Sequence, residues 1–273
     1  MSSPFWQETR AQAARWFVHS RRRPMVVVSG LFQPVIWLGL FALVFRHSPM
    51  ARLGGAAGYL GFITPGALLF TALNASLNAG IPVLFDRELG FLDRLCVAPL
   101  ADRFSIALAS AIHIFSMTLL QCLIILAGTA LLGVSFQGGL MGWLVLGTVL
   151  ALVTMGFTAI SLALAFLFKQ HFEMIAFVML VTLPLIFLSS AFAPIDYLPD
   201  WLRHLVLLNP VTLGVEPLRL VYLHADWSLG GAVLEDSLVG SVSSWHCLAG
   251  LALFTALAVL LNRRVLSRRL RGR

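Results

Sequence analysis

The stretch FDRELGFLDRLCVAPL, residues 85–100, places Asp86, Arg87, Glu88, Asp93 and Arg94 within nine positions of an otherwise largely apolar chain. Projected on a helix, Phe85, Leu89, Leu92, Leu95 and Cys96 share one face. Asp86, Arg87, Gly90, Asp93 and Arg94 share the other, with an acidic and a basic residue repeating at a spacing of seven. Glu88 falls among the apolar positions, so its carboxylate needs a specific partner or access to water. Pro99 ends the helix. Mixed charge of this kind is poorly matched to an anionic bilayer or to nucleic acid. It suits a polar protein surface, where complementary charges set register and specificity. On physics alone, a self-satisfied turn with intrahelical ion pairs remains an open alternative.

The rest of the chain offers little for catalysis. The seven histidines include His113 in an apolar run and His171, which forms an HxE pair with Glu173. No HExxH, no third ligand at metal spacing and no Ser-His-Asp pattern accompanies them, so neither a catalytic set nor a metal site is expected. There is no GxxxxGK[ST] phosphate loop, and the only lysine, Lys169, is followed by Gln170; ATP cannot be held here in that manner. Cys96, Cys122 and Cys247 lie far apart, without CxxC spacing, which argues against a disulfide framework or a zinc site. Gln33, Asn74, Asn78, His113 and Gln121 are polar groups inside apolar runs. They line a path for a polar substrate or bond one helix to another.

These residues have to be positioned by membrane helices. The 273 residues are 59% hydrophobic and only 11% charged, with a mean hydropathy of +0.90; a soluble domain carries about 25% charged residues. Six stretches are long and apolar enough to cross a bilayer, roughly 25–45, 59–85, 104–132, 140–168, 174–193 and 245–261. The basic run before the first resembles a leader, but the apolar stretch is too long for a signal core and lacks a small-residue cleavage pattern. With the N-terminus inside, 15 of the 19 Lys and Arg residues fall on the inner side and four on the outer. The expectation is therefore a multi-pass protein of the cytoplasmic membrane, with both termini and residues 86–103 in the cytoplasm. The net charge of +7 sits at the chain ends beside apolar runs, which fits lipid head groups and not nucleic acid. Residues 5–19 form a helix with Phe5, Trp6, Ala13, Trp16 and Phe17 on one face, as expected of an interfacial helix within a cytoplasmic segment 1–24. Residues 262–273 form a basic cytoplasmic tail. The outer segment 194–244 holds two short helices, near 198–208 and 211–223, broken at Asn209-Pro210 and too apolar for a free loop; they are expected to dip back into the outer leaflet. The fold class is all-α, a single transmembrane domain over 1–273.

The stretch DRELGFLDRLCVAPL resembles the cytoplasmic segment of type-2 ATP-binding-cassette (ABC) export permeases. A second block, FLSSAFAPIDYLPDWLRHLVLLNPVTLGVEPLRLVYL at 187–223, and a third, RRRPMVVVSGLFQPVIWLGLF, are similar to that family too, most of all to its drug-resistance and nodulation-type branch. Phe91, Asp93 and Pro217 depart from the family pattern. The resemblance implies a coupling helix between spans 2 and 3, carrying Asp86, Arg87, Glu88, Gly90, Asp93 and Arg94, that seats in a soluble ABC ATPase. It further implies ATP and Mg on that partner, none in this chain, and a second permease copy, with a homodimer favoured over a heterodimer. The function implied is ATP-driven export of an amphipathic, drug-like or lipid-like substrate. A polysaccharide or lipo-oligosaccharide export permease is the alternative within the family. An ion-coupled carrier or a membrane assembly protein is the alternative outside it, although no carboxylate falls in the middle of a span as the carrier would require.

Overall fold

The computed structural model describes residues 4–22, 24–45, 58–90, 104–192, 194–195, 198–236 and 240–271. Its helices are α1 (Pro4–Arg22), α2 (Pro24–Val44), α3 (Gly58–Leu77), α4 (Gly80–Glu88), α5 (Phe104–Leu131), α6 (Gly139–Leu167), α7 (His171–Phe187), α8 (Asp200–Leu207), α9 (Pro210–Leu223) and α10 (Ser244–Arg271). Among the described residues, four helical stretches are long and apolar enough to span a membrane: Gly58–Glu88, Ala107–Leu131, Gly139–Leu167 and Ser244–Leu266. Two of the six expected spans correspond to shorter apolar helices, Gly30–Val44 and His171–Phe187. The fifth span, expected over 174–193, ends as a helix at Phe187, where Pro184 sits in its last turn. The sixth is longer than expected. α10 continues into the basic residues through Arg271, so the described part of the tail extends the helix.

The core is built on α3, α6 and α9. Ile63, Leu69 and Leu73 of α3 meet Leu146, Val149, Leu150 and Val153 of α6 and Val211, Val215 and Leu218 of α9 in one buried cluster. Close helix approach depends on small residues. A Cβ on Gly66 of α3 would overlap the Ala191 backbone, and one on Gly156 of α6 would lie 2.9 Å from the Phe254 ring of α10. Hydroxyl groups add bonds that need no water: Thr255 Oγ1 of α10 donates to the Leu152 carbonyl of α6 at 2.9 Å. At the surface, α7 buries only Met174, Val178, Thr182 and Ile186, a stripe one residue wide.

The fold class needs one correction. Ala232–Asp236 and Gly240–Ser243 form an antiparallel pair, β1 and β2, with Leu234 opposite Val242 and Asp236 opposite Gly240. Four- and five-residue segments are too short to build an amphipathic helix, and their paired backbone groups satisfy one another instead.

α8 and α9 lie close to the two short helices read near 198–208 and 211–223, and the bend between them is 78°. Asn209 makes the corner. Its side-chain oxygen accepts from the Val211 N–H at 2.9 Å and caps α9, while Nδ2 donates to Leu185 O and Leu188 O at 2.7 and 2.6 Å, serving the carbonyls at the end of α7. Pro210, the first residue of α9, lacks only an N–H that the helix would not use. α9 is then buried along most of its length.

Candidate functional site

The site begins at a break in one long span. Between α3 and α4 the chain turns at Asn78 and Ala79, and the Ser161 hydroxyl of α6 bridges the gap. It accepts from the Gly80 N–H at 2.9 Å and donates to the Leu77 carbonyl at 2.5 Å. Gly80 allows this approach, because a Cβ there would collide with the Ser161 carbonyl. Pro82, inside the first turn of α4, breaks no helical hydrogen bond. α4 ends at Glu88, and Gly90 takes φ +70°, a left-handed conformation that stops the helix and favours glycine.

This corrects the helix wheel drawn across 85–96. Asp86, Arg87 and Glu88 are the last turn of a helix continuing from the second span, where the sequence had suggested the first turn of a separate one. Asp93 and Arg94 lie outside the described residues.

The three charges leave the helix end in three directions. Asp86 Oδ2 meets Arg15 Nη2 of α1 at 3.3 Å, and the Arg15 guanidinium also lies 4.9 Å from the Trp16 ring centroid. Arg87 Nη1 donates to Ala165 O at 2.8 Å, and Nη2 donates to Phe168 O and, at 3.4 Å, to Lys169 O. These carbonyls close the C-terminus of α6, where a cation also meets the negative end of the helix dipole. Glu88 accepts from the His171 backbone N–H at 2.6 Å and from His171 Nδ1 at 2.7 Å. An acceptor with negative charge therefore stands at the N-terminus of α7. Two successive residues of α4 thus hold opposite ends of the α6–α7 turn, and Glu88 has the specific partner its apolar surroundings required. Glu173 reaches back to the Lys169 N–H at 3.3 Å, so the HxE pair shapes this turn. Among the described residues no cluster of three metal-ligating side chains occurs.

The polar residues of the spans converge. Gln33, Asn74, Asn78, His113 and Gln121 all line one cavity of about 940 Å³ between α1, α2, α3, α4 and α5. Asn78 Nδ2 donates to Asn74 Oδ1 at 3.1 Å, and Asn74 Nδ2 donates to Gln33 Oε1 at 3.1 Å, so a row of carboxamides crosses from α3 to α2. The Gln121 amide crosses to α2 at Gly30, where a Cβ would come within 2.5 Å of Nε2. His113 Nε2 pairs with Ser20 Oγ of α1 at 2.8 Å, and its ring meets Trp16 and Phe17 at centroid distances of 6.1 and 5.2 Å. α1 therefore packs on α5 through the Trp16/Phe17 side, while Trp6 and Val18 remain exposed.

Sequence reasoning missed one charged pair. Glu216 and Arg219 of α9 are 5% and 9% exposed and meet at 2.5 Å. Arg219 also donates to Ser190 O at 2.5 Å and to Phe62 O at 3.4 Å, and lies 3.9 Å from the Phe62 ring centroid. The signal was present as an i, i+3 acidic–basic pair inside the apolar run VEPLRL.

The chain matches the ABC-2 type transporter family over residues 7–223. It is 38% identical over 262 residues to a Cyanophora paradoxa protein named transport permease ycf38, covering 96% of this chain and 90% of that one. A Porphyra purpurea protein of the same name is 36% identical over 85% of this chain and 79% of its own. A Mycobacterium tuberculosis protein named as the doxorubicin resistance ABC transporter permease DrrC is 25% identical over 85% of this chain and 80% of its own. By its sequence and its bundle of apolar helices, this chain belongs to the ABC-2 type transporter family of membrane permeases.

Proposed function

We propose that the chain is the membrane subunit of an ATP-driven exporter that moves an amphipathic, drug-like or lipid-like molecule across the cytoplasmic membrane. ATP and Mg bind a separate soluble ABC ATPase, consistent with the absence of a phosphate loop from this sequence. A second copy of this chain completes the path, and both termini face the cytoplasm, as the distribution of arginines favours. The observation that carries the reading is the divergence of Asp86, Arg87 and Glu88 from one helix end to α1, to the end of α6 and to the start of α7. A push from an ATPase seated on residues 86–95 is passed to three helices at once. DrrC, by its name a doxorubicin resistance permease, supports an amphipathic cargo.

The test is co-purification of the permease with an ABC ATPase encoded beside it, and ATP-dependent uptake of a fluorescent amphiphile into inverted vesicles. Charge reversal at Asp93 and Arg94 should abolish co-purification while the permease still elutes as a folded species. Retention of ATP-dependent uptake after replacement of the whole 86–95 segment would sink the coupling role.

A further inference from the structure

The cavity between α1, α2, α3, α4 and α5 has a chemistry that narrows what it can hold. Among the described residues lining it, the formally charged ones are Arg15 and Asp86, and they are paired with each other at 3.3 Å. His113 shares a hydrogen bond with Ser20 and sits among rings. The remaining polar wall is made of carboxamides and hydroxyls: Gln33, Asn74, Asn78 and Gln121, with Thr71 and Ser110. A carboxamide offers a donor and an acceptor together, and so matches hydroxyl and carbonyl groups. A phosphate or ammonium group brought here would lose water and meet a counter-charge only by competing for one member of the half-exposed Arg15–Asp86 pair, which favours an uncharged ligand by a modest margin. Trp16, Ile81, Pro82, Phe85, Ile114 and Met117 supply the apolar wall. The volume of about 940 Å³ is that of a site for a whole drug-sized body.

We propose that this cavity binds an uncharged amphiphile, an apolar body carrying hydroxyl or carbonyl groups, with those groups against the row Asn78, Asn74 and Gln33. This reading deepens the exporter proposal and rests on it for the direction of movement, but binding itself needs no ATPase. The ligand reaches the cavity either from the lipid phase or from water.

The test uses the full chain in phosphatidylcholine nanodiscs with three diazirine probes: a monoglucosyl diacylglycerol, a phosphatidylglycerol of the same acyl chains, and a water-borne polyhydroxylated aromatic amphiphile. Labelled positions are mapped by mass spectrometry. At least one uncharged probe should label residues 71–82 and 113–121, several-fold above the phosphatidylglycerol. Whichever of the two does so identifies the source. Asn74→Leu with Asn78→Leu should lower that labelling about tenfold, the effect of losing two modest hydrogen bonds. Ala75→Phe should block it by filling the space. Size-exclusion profiles check that these variants fold, and the contrast between neutral and anionic probes in the unaltered protein stands without them. Equal labelling by all three probes, labelling by neither uncharged one, or no effect of the folded variants would overturn the proposal. Cavity labelling by a chain that binds no ATPase would leave this site standing and remove the exporter reading. Coupled transport without selective labelling would do the reverse.

Discussion

Two groups of charges hold this bundle together, and they are built on opposite principles. At one end, Asp86, Arg87 and Glu88 are partly exposed, and each bonds to a different element. In α9, Glu216 and Arg219 are buried and bond first to each other, with the surplus donors of Arg219 given to backbone carbonyls of Ser190 and Phe62. A half-exposed charge at a helix end can exchange its partner for water at little cost, so the first group suits the coupling joint proposed for residues 86–95. A buried pair has no such exchange, so the second works as a fixed staple between α9, α3 and the end of α7.

The sharpest way to break the comparison is to remove one member of the buried pair. Glu216→Ala leaves the Arg219 guanidinium without its carboxylate partner and should destabilise the protein by about 3–5 kcal/mol. Thermal unfolding in detergent and the yield of monodisperse protein would register this loss. Replacing both, Glu216→Gln with Arg219→Met, should recover much of it, because no buried charge is then left alone. Equal damage from the single and the double replacement would show that the pair does not act as a unit.

This contrast was only half legible in the sequence. The apolar runs located most of the helices, since composition suffices for that, but not their lengths: four helical stretches among the described residues are long enough to span a membrane, where six were expected. They also exposed 86–88 as an anomaly, because three charges in succession stand out beside Phe85 and Leu89. Their partners could not be read. Ala165, Phe168 and His171 lie about 80 positions along the chain, and all three partners of Arg87 are backbone carbonyls, which carry no residue signature. The wheel over 85–96 also treated Gly90 as one more helical position, whereas its left-handed φ ends the helix. Glu216 and Arg219 fall in the segment 194–244 that the sequence reads as an outer loop, and their burial is a tertiary fact. Gln33, Asn74, Asn78, His113 and Gln121 were each visible as polar intruders. That they share one wall needed the packing of α1, α2, α3 and α5.

Within the joint, Arg87 should matter most. Arg87→Ala removes donors from the carbonyls that close α6 and should lower stability by about 1–2 kcal/mol. Arg87→Lys should restore less than half of that, since an ammonium group cannot span three carbonyls as the guanidinium fork does. Full rescue by lysine would mean that charge alone, and not the fork, holds the α6 end.

Glu88 should show a smaller and more local effect. Glu88→Ala frees the His171 N–H and imidazole, which should loosen the Phe168–Gln170 turn while the bundle stays folded. Limited proteolysis at that turn should accelerate, with the unfolding midpoint nearly unchanged. A large drop in the midpoint would place Glu88 with the staples.

The Arg15–Asp86 pair should contribute least, and its value lies in what it connects. The two side chains are 36% and 28% exposed and 3.3 Å apart, so a double-mutant cycle should give a coupling of under about 1 kcal/mol that shrinks further as salt is added. Exchanging the charges, Arg15→Asp with Asp86→Arg, should preserve most of this coupling, because α1 and α4 still meet with opposite signs. A pair so weak can open and close as α4 is displaced without unfolding either helix, whereas a coupling above 2 kcal/mol, insensitive to salt, would make α1 and α4 a single rigid body and abolish the distinction from the buried staple.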